Sequence, residues 1–140
     1  MNIDFLHVNW LAVLVVGLVS FFIGGAWYTA IFGEYWKKHS HYTEDQMKAA
    51  QTARPMPVFM GMMVLTYLVI AYFVALCVQA TGASGVADGI KLGLLLWVVT
   101  SAVSFTHHIS SIKGWGAYHV DCGYQFVYFM LMSVILAAWK

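Results

Sequence analysis

Charged side chains are scarce in this 140-residue sequence: seven Lys or Arg and six Asp or Glu make up 9% of it, where soluble domains carry about a quarter. That scarcity excludes an ordinary soluble domain, and an apolar content of 61% excludes a disordered tail. A formal net charge of +1 leaves no basic footprint, so nucleic acid is not expected as a partner. Cysteine is equally sparse. Two thiols are too few for a disulfide-stapled secreted mini-domain, and Cys77 and Cys122 fall near opposite ends of different apolar runs, beyond disulfide reach. Both read as small hydrophobes. No glycine-rich phosphate loop of the known kinds is present.

What is abundant is uninterrupted apolar chain. Phe5 to Gly33 contains no acid or base except His7, and Pro55 to Ala87 contains none; about 20 such residues cross a bilayer's hydrocarbon. The pattern predicts one all-α membrane domain over residues 1–140, with four antiparallel transmembrane helices at about 10–32, 56–81, 88–109 and 117–139. The first run lacks a Lys or Arg n-region, and bulky Trp27 and Tyr28 follow it, so it reads as a retained anchor. Gly33, Glu34, Lys37 and Lys38 stop it, with an aromatic belt of Trp27, Tyr28, Tyr35 and Trp36. The polar stretch after it predicts a short amphipathic surface helix at about 43–53, capped by Thr43 with Gln46 three residues on and ended by Pro55. Lys37, Lys38, Lys48, Arg54 and Lys113 fall on one face against Lys91 and Lys140 on the other. The positive-inside rule then puts loop 33–55 in the cytoplasm and both termini outside.

Polar residues inside the spans recur at helical spacing. Gly93, Trp97, Thr100, Ser104 and His107 or His108 form one stripe on span three. Tyr118, Asp121, Gln125 and Tyr128 form another on span four, and Gly17, Ser20, Gly24 and Tyr28 a third on span one. At ~1.5 Å rise per residue, His107 and Asp121 sit at similar depth on either side of the last loop, with Tyr28 level with them. These positions predict a polar pocket of Tyr28, Ser104, His107, His108, His119, Asp121 and Gln125, over which His39 and His41 are placed to close. The plainer alternative makes His107 and His108 interfacial and Asp121 a structural hydrogen-bonding group that sets helix register. No cofactor is predicted. A metal or haem site is left open, with His107, His119 and Asp121 as weak candidate ligands, since adjacent histidines point about 100° apart and no His-x-x-x-His spacing enforces convergence.

Three separated stretches carry a resemblance: Asn9 to Leu14; Gly25 to Tyr28 with Phe32, Gly33 and Trp36; and Asp121 to Gln125 leading to Met132, Ile135, Leu136 and Trp139. Together they are similar to the bacterial domain-of-unknown-function family 1761. The resemblance implies a four-helix protein of a bacterial inner membrane along nearly the whole chain and supplies no activity. Members commonly have a Pro after the Trp-Tyr pair, where this sequence has Thr29 and Ala30.

Three functions then compete. The first is a non-catalytic subunit or scaffold that assembles in the lipid bilayer as a homo-oligomer or within a larger membrane complex. The second is a small proton-coupled carrier or ligand-binding protein built around Asp121 and His107. The third is a membrane enzyme or metal or haem site. Membrane glutathione-type enzymes need several arginines for their anionic thiol cofactor, and this chain has Arg54 alone.

Overall fold

The computed structural model describes residues 3–139, so Lys140, counted above among the cations of the far face, lies outside the described residues. Asn9 caps the first helix, α1 (Trp10–Ala26), its side chain accepting from the Ala12 N–H at 3.0 Å. The helix then widens into one π-helical turn, Trp27–Ile31, in which the Phe32 N–H reaches back to the Trp27 carbonyl. Thr29 donates its hydroxyl to the Gly25 carbonyl at 2.7 Å. The distortion at this point is therefore a wide turn made without proline.

The chain does not leave the helical state at Gly33. α2 (Gly33–Ser40) carries Glu34 in its first turn and Lys37, Lys38 and His39 in its last, the arrangement that complements the helix dipole. His41, at φ 58°, ends it. α3 (Glu44–Ala53) starts from the anticipated capping box, in which Thr43 accepts from the Gln46 N–H and the Gln46 side chain accepts from the Thr43 N–H. α4 (Met56–Thr81) covers the second span as read from the sequence. Gly82 closes it at φ +68°, where the Ala83 N–H returns to the Val78 carbonyl. α5 (Gly85–Ile109) begins three residues before the expected Asp88, because only Ala83 and Ser84 separate the Gly82 cap from the next helix. α6 (Trp115–Ala138) begins two residues before the expected Ala117 and stops one short of Trp139. Four segments, Trp10–Ile31, Met56–Thr81, Gly85–Ile109 and Trp115–Ala138, are long and apolar enough to cross a membrane.

Lipid tails are as apolar as leucine, so close backbone approach and hydrogen bonds hold such helices together. α6 is the hub, packed against α1, α2, α4 and most extensively α5. A Cβ on Gly89 would stand 2.6 Å from the Val134 Cα, and one on Gly93 3.1 Å from the Phe129 carbonyl oxygen, so α5 lies on α6 backbone to backbone. The polar stripe read from the sequence began at Gly93; the tighter contact is one turn earlier. On α1, Gly17 admits Leu68 and Gly24 admits the ring of Tyr124. Away from these seams the bundle is loose. Every residue from Met56 to Met62 is exposed, and α5 buries only Gly89, Leu92, Gly93 and His108.

Candidate functional site

Between the first half of α4 and the last half of α5 lies a cavity of about 1070 Å³. It is floored by α6, bounded by α1 and the π turn, and reached by α2 and by Met47 of α3. Phe21 and Phe22 of α1 and Phe59, Met60 and Met63 of α4 form its apolar wall. Its charged residues, Lys37, Lys113 and Asp121, belong to one end, where α2, the α5–α6 loop and the start of α6 meet. From Asp121, Tyr128 is two turns further along α6, about 10 Å deeper at ~1.5 Å per residue.

Asp121 organises the charged end. Its Oδ1 accepts from the Tyr28 hydroxyl at 2.8 Å and from Trp36 Nε1 at 2.8 Å. Its Oδ2 faces Lys113 Nζ at 3.6 Å, with both side chains about one quarter exposed. The Lys113 ammonium also stands 5.5 Å from the centre of the Trp36 ring and 6.0 Å from that of Tyr42, within cation–π range. One carboxylate therefore gathers the π turn, α2 and the last loop. Below it, Tyr28, Tyr67, Tyr124 and Tyr128 form a chain of edge-to-face contacts with ring centres 5.2–6.0 Å apart. Tyr124 donates to the Ser20 carbonyl. On the α5 side, Gln125 Nε2 donates to Ser104 Oγ at 2.8 Å, and its buried Oε1 has no partner among the described residues.

Of the seven residues grouped from the sequence, Tyr28, Ser104, His107, His108, Asp121 and Gln125 line this cavity. His107 is exposed, whereas His108 is buried with its ring against Trp115 and Tyr118, at centroid distances of 4.9 and 5.0 Å. His119 is not brought in. It is exposed, its Nδ1–H bonds to the Trp115 carbonyl at 2.7 Å, and it stands two residues, or about 200° of helix, before Asp121. His119 therefore does not join His107 and Asp121, and no group of three His, Cys, Asp or Glu side chains converges among the described residues.

The loop histidines also take a different place from that expected of them. His39 lies against Gly116, and the Gly114 N–H donates to its carbonyl at 2.7 Å. His41 Nδ1–H donates to the Ile112 carbonyl at 2.9 Å. They fasten α2 to the last loop and do not line the cavity. Sequence reasoning missed Trp36, Lys113, Tyr67 and Tyr124 as lining residues. Trp36 read as a belt residue and Lys113 as an orientation signal, though both lie within the stretches that bracket Tyr28 and Asp121.

Residues 11–137 match the family described as a protein of unknown function, DUF1761, and the chain belongs to that family. No curated protein and no solved structure matches it.

Proposed function

We propose that this family member is an integral membrane binding protein whose four spanning helices, alternating in direction, hold a lipid-soluble small molecule in the cavity on α6. The observation that carries this reading is the cavity itself: large, walled by phenylalanine and methionine, with a few polar groups gathered at one end, the composition of a small-molecule site. Support for the alternation comes from Tyr28 meeting Asp121 at one end and Asn9 donating to the Trp139 carbonyl at the other. α3 is the surface helix of this reading, exposed except at Met47, which faces the cavity. The excess of cations at the end bearing Lys37, Lys38, Lys48, Arg54 and Lys113 supports a reading in which that end faces the cytoplasm.

The test is photolabelling in lipid nanodiscs with an uncharged long-chain alcohol bearing a diazirine. Saturable labelling of Met60, Met63 and Tyr67 that disappears in Gly25→Phe is expected. A Cβ on Gly25 meets nothing within 4 Å, so the new ring fills the cavity without disturbing the backbone. Labelling that never saturates and falls equally on the outward residues Leu95 and Val99 would overturn the reading.

A second reading is a non-catalytic subunit that assembles with itself or with a larger membrane complex. It is supported by α5, which buries four of its 25 residues and so keeps most of its surface for another partner. Native mass spectrometry of the gently solubilised protein separates the two, since a scaffold leaves in a fixed ratio with itself or another chain.

A further inference from the structure

Resting on the binding reading above, we infer that the ligand is a single-chain acidic amphiphile, a long-chain carboxylate or phosphate monoester. Its head lies at Lys113 and Lys37 and its tail along Phe22, Met60 and Met63. Two features of the cavity select this class.

The first is how the charges at the cavity's polar end are already committed. The single acid there, Asp121, has one oxygen filled by two neutral donors and the other turned to Lys113. It is poorly placed to hold a ligand cation as well. The bases have capacity left. An ammonium has three donors, and Lys113 spends its contacts on one carboxylate oxygen at 3.6 Å and two ring faces. Lys37 pairs with Glu34 at 3.1 Å, but Glu34 is 93% exposed and does not line the cavity. His107 lines the same end and makes no hydrogen bond to another described residue. An anion entering here meets unspent donors, whereas a cation meets two ammonium groups.

The second is the distribution of polarity. Away from Lys37, Lys113 and Asp121 no charged side chain lines the cavity, and Phe22, Met60 and Met63 give it an apolar strip. That strip suits a chain and has no partner for a second charged group. Phe22, at 68% exposed, and Met60, at 41% exposed, stand at its edge, so the tail can enter sideways from the bilayer while the head stays at headgroup depth.

Competition against the diazirine alcohol in nanodiscs tests the assignment. Oleate, oleyl alcohol and oleylammonium share a chain and differ in head charge; dioleoylphosphatidylglycerol carries an anionic head on two chains. The expected order has oleate at least tenfold stronger than the alcohol and the ammonium weakest, with phosphatidylglycerol ineffective. Lys113→Gln should weaken oleate about tenfold and leave the alcohol within twofold. Because Lys113 also faces Asp121, Lys37→Gln is the companion variant, which leaves the Asp121 contacts in place and should weaken oleate severalfold. Equal or stronger competition by the ammonium, or oleate competition untouched by both variants, overturns the acidic assignment while the binding reading stands. Competition by phosphatidylglycerol alone overturns the single-chain assignment. Failure of every amphiphile to displace label from a Gly25→Phe-sensitive site overturns the inference and the binding reading together.

Discussion

The Tyr28 hydroxyl lies 2.8 Å from Asp121 Oδ1, joining the π turn of the first span to the first turns of the last across 93 positions of sequence. Trp36 donates to the same oxygen from α2. The shared acceptor makes one carboxylate of α6 a fastening point for α2, beside those that His39 and His41 make with the last loop.

Replacing that carboxylate should therefore loosen α2 before it loosens the bundle. Asp121→Ala leaves a hydroxyl, an indole N–H and Lys113 without their acceptor, at about 1–3 kcal/mol of stability. Faster hydrogen exchange over residues 33–40, with protection unchanged at the α5–α6 seam, is the expected signature. Uniform protection would show that His39 and His41 alone hold α2 in place.

Trp36→Phe isolates one bond of the same cluster. The ring contact with Tyr28, at 5.9 Å and nearly perpendicular, and the position of Lys113 over it can be kept, while the donor to Asp121 is lost. A cost of about 0.5–1.5 kcal/mol, the net worth of one hydrogen bond, is expected in unfolding measured in mixed detergent.

Adjacent glycines on α1 should respond in opposite directions. A Cβ on Gly24 would fall 2.5 Å from the Tyr124 oxygen, whose hydroxyl is tied to the Ser20 carbonyl and cannot swing away freely. Gly24→Ala should cost about 1–3 kcal/mol by overpacking. Gly25→Ala, with open space around it, should be neutral or stabilising by up to about 1 kcal/mol, because alanine is the better helix former. Thermal unfolding of the two variants side by side measures the difference.

Gly89→Ala should be the most damaging small change on α5. The added methyl would meet the Val134 Cα and the Ser133 carbonyl, neither of which can move without moving α6. Loss of the α5–α6 seam should show as increased labelling of a cysteine introduced at Leu92, a buried position.

Acid should release the N-terminal segment. The Asp4 carboxyl is held below its ordinary value of 3.8, first by the Leu6 N–H and next by the His7 side chain. For a carboxyl lowered in the folded state, the stabilisation is present above the ordinary value and lost as pH falls through the lowered one. NMR shifts of the Leu6 amide should therefore move in the acid range below 3.8, and Asp4→Asn should abolish that titration.

The four long apolar helices were legible because the stretches around Val16, Ala71 and Val98 are bare of charge, as a helix fit to cross hydrocarbon must be. Thr43 and Gln46 announced α3 because a capping box is local chemistry. α2 was not legible: Gly33, Glu34 and the lysines that stop a membrane span are also a well-matched short helix, and only the contacts with Asp121 and Gly116 decide between the two. The π turn escaped for a related reason, since Trp27 to Ile31 carries no residue that demands one. At the site, the exclusion of His119 was readable from helical rotation relative to Asp121. The division of roles between His107 and His108 was not, because it depends on where Trp115 and Tyr118 arrive from the next helix.

Because α6 is the hub of the packing and follows in sequence the helices it gathers, assembly has an order in time. A chain made from its N-terminus presents Tyr28, Trp36 and Lys113 before their common acceptor exists. α1 and α4 can pair through Gly17 and Leu68 as soon as both exist, but the seams at Gly24, Gly89 and Gly93 stay unfilled and α2 lacks its carboxylate partner until Asp121 arrives. Truncation before Asp121 thus leaves the α1–α4 pair without the helix on which α2 and α5 pack, so the arrival of α6 is the step that joins the two halves of the fold.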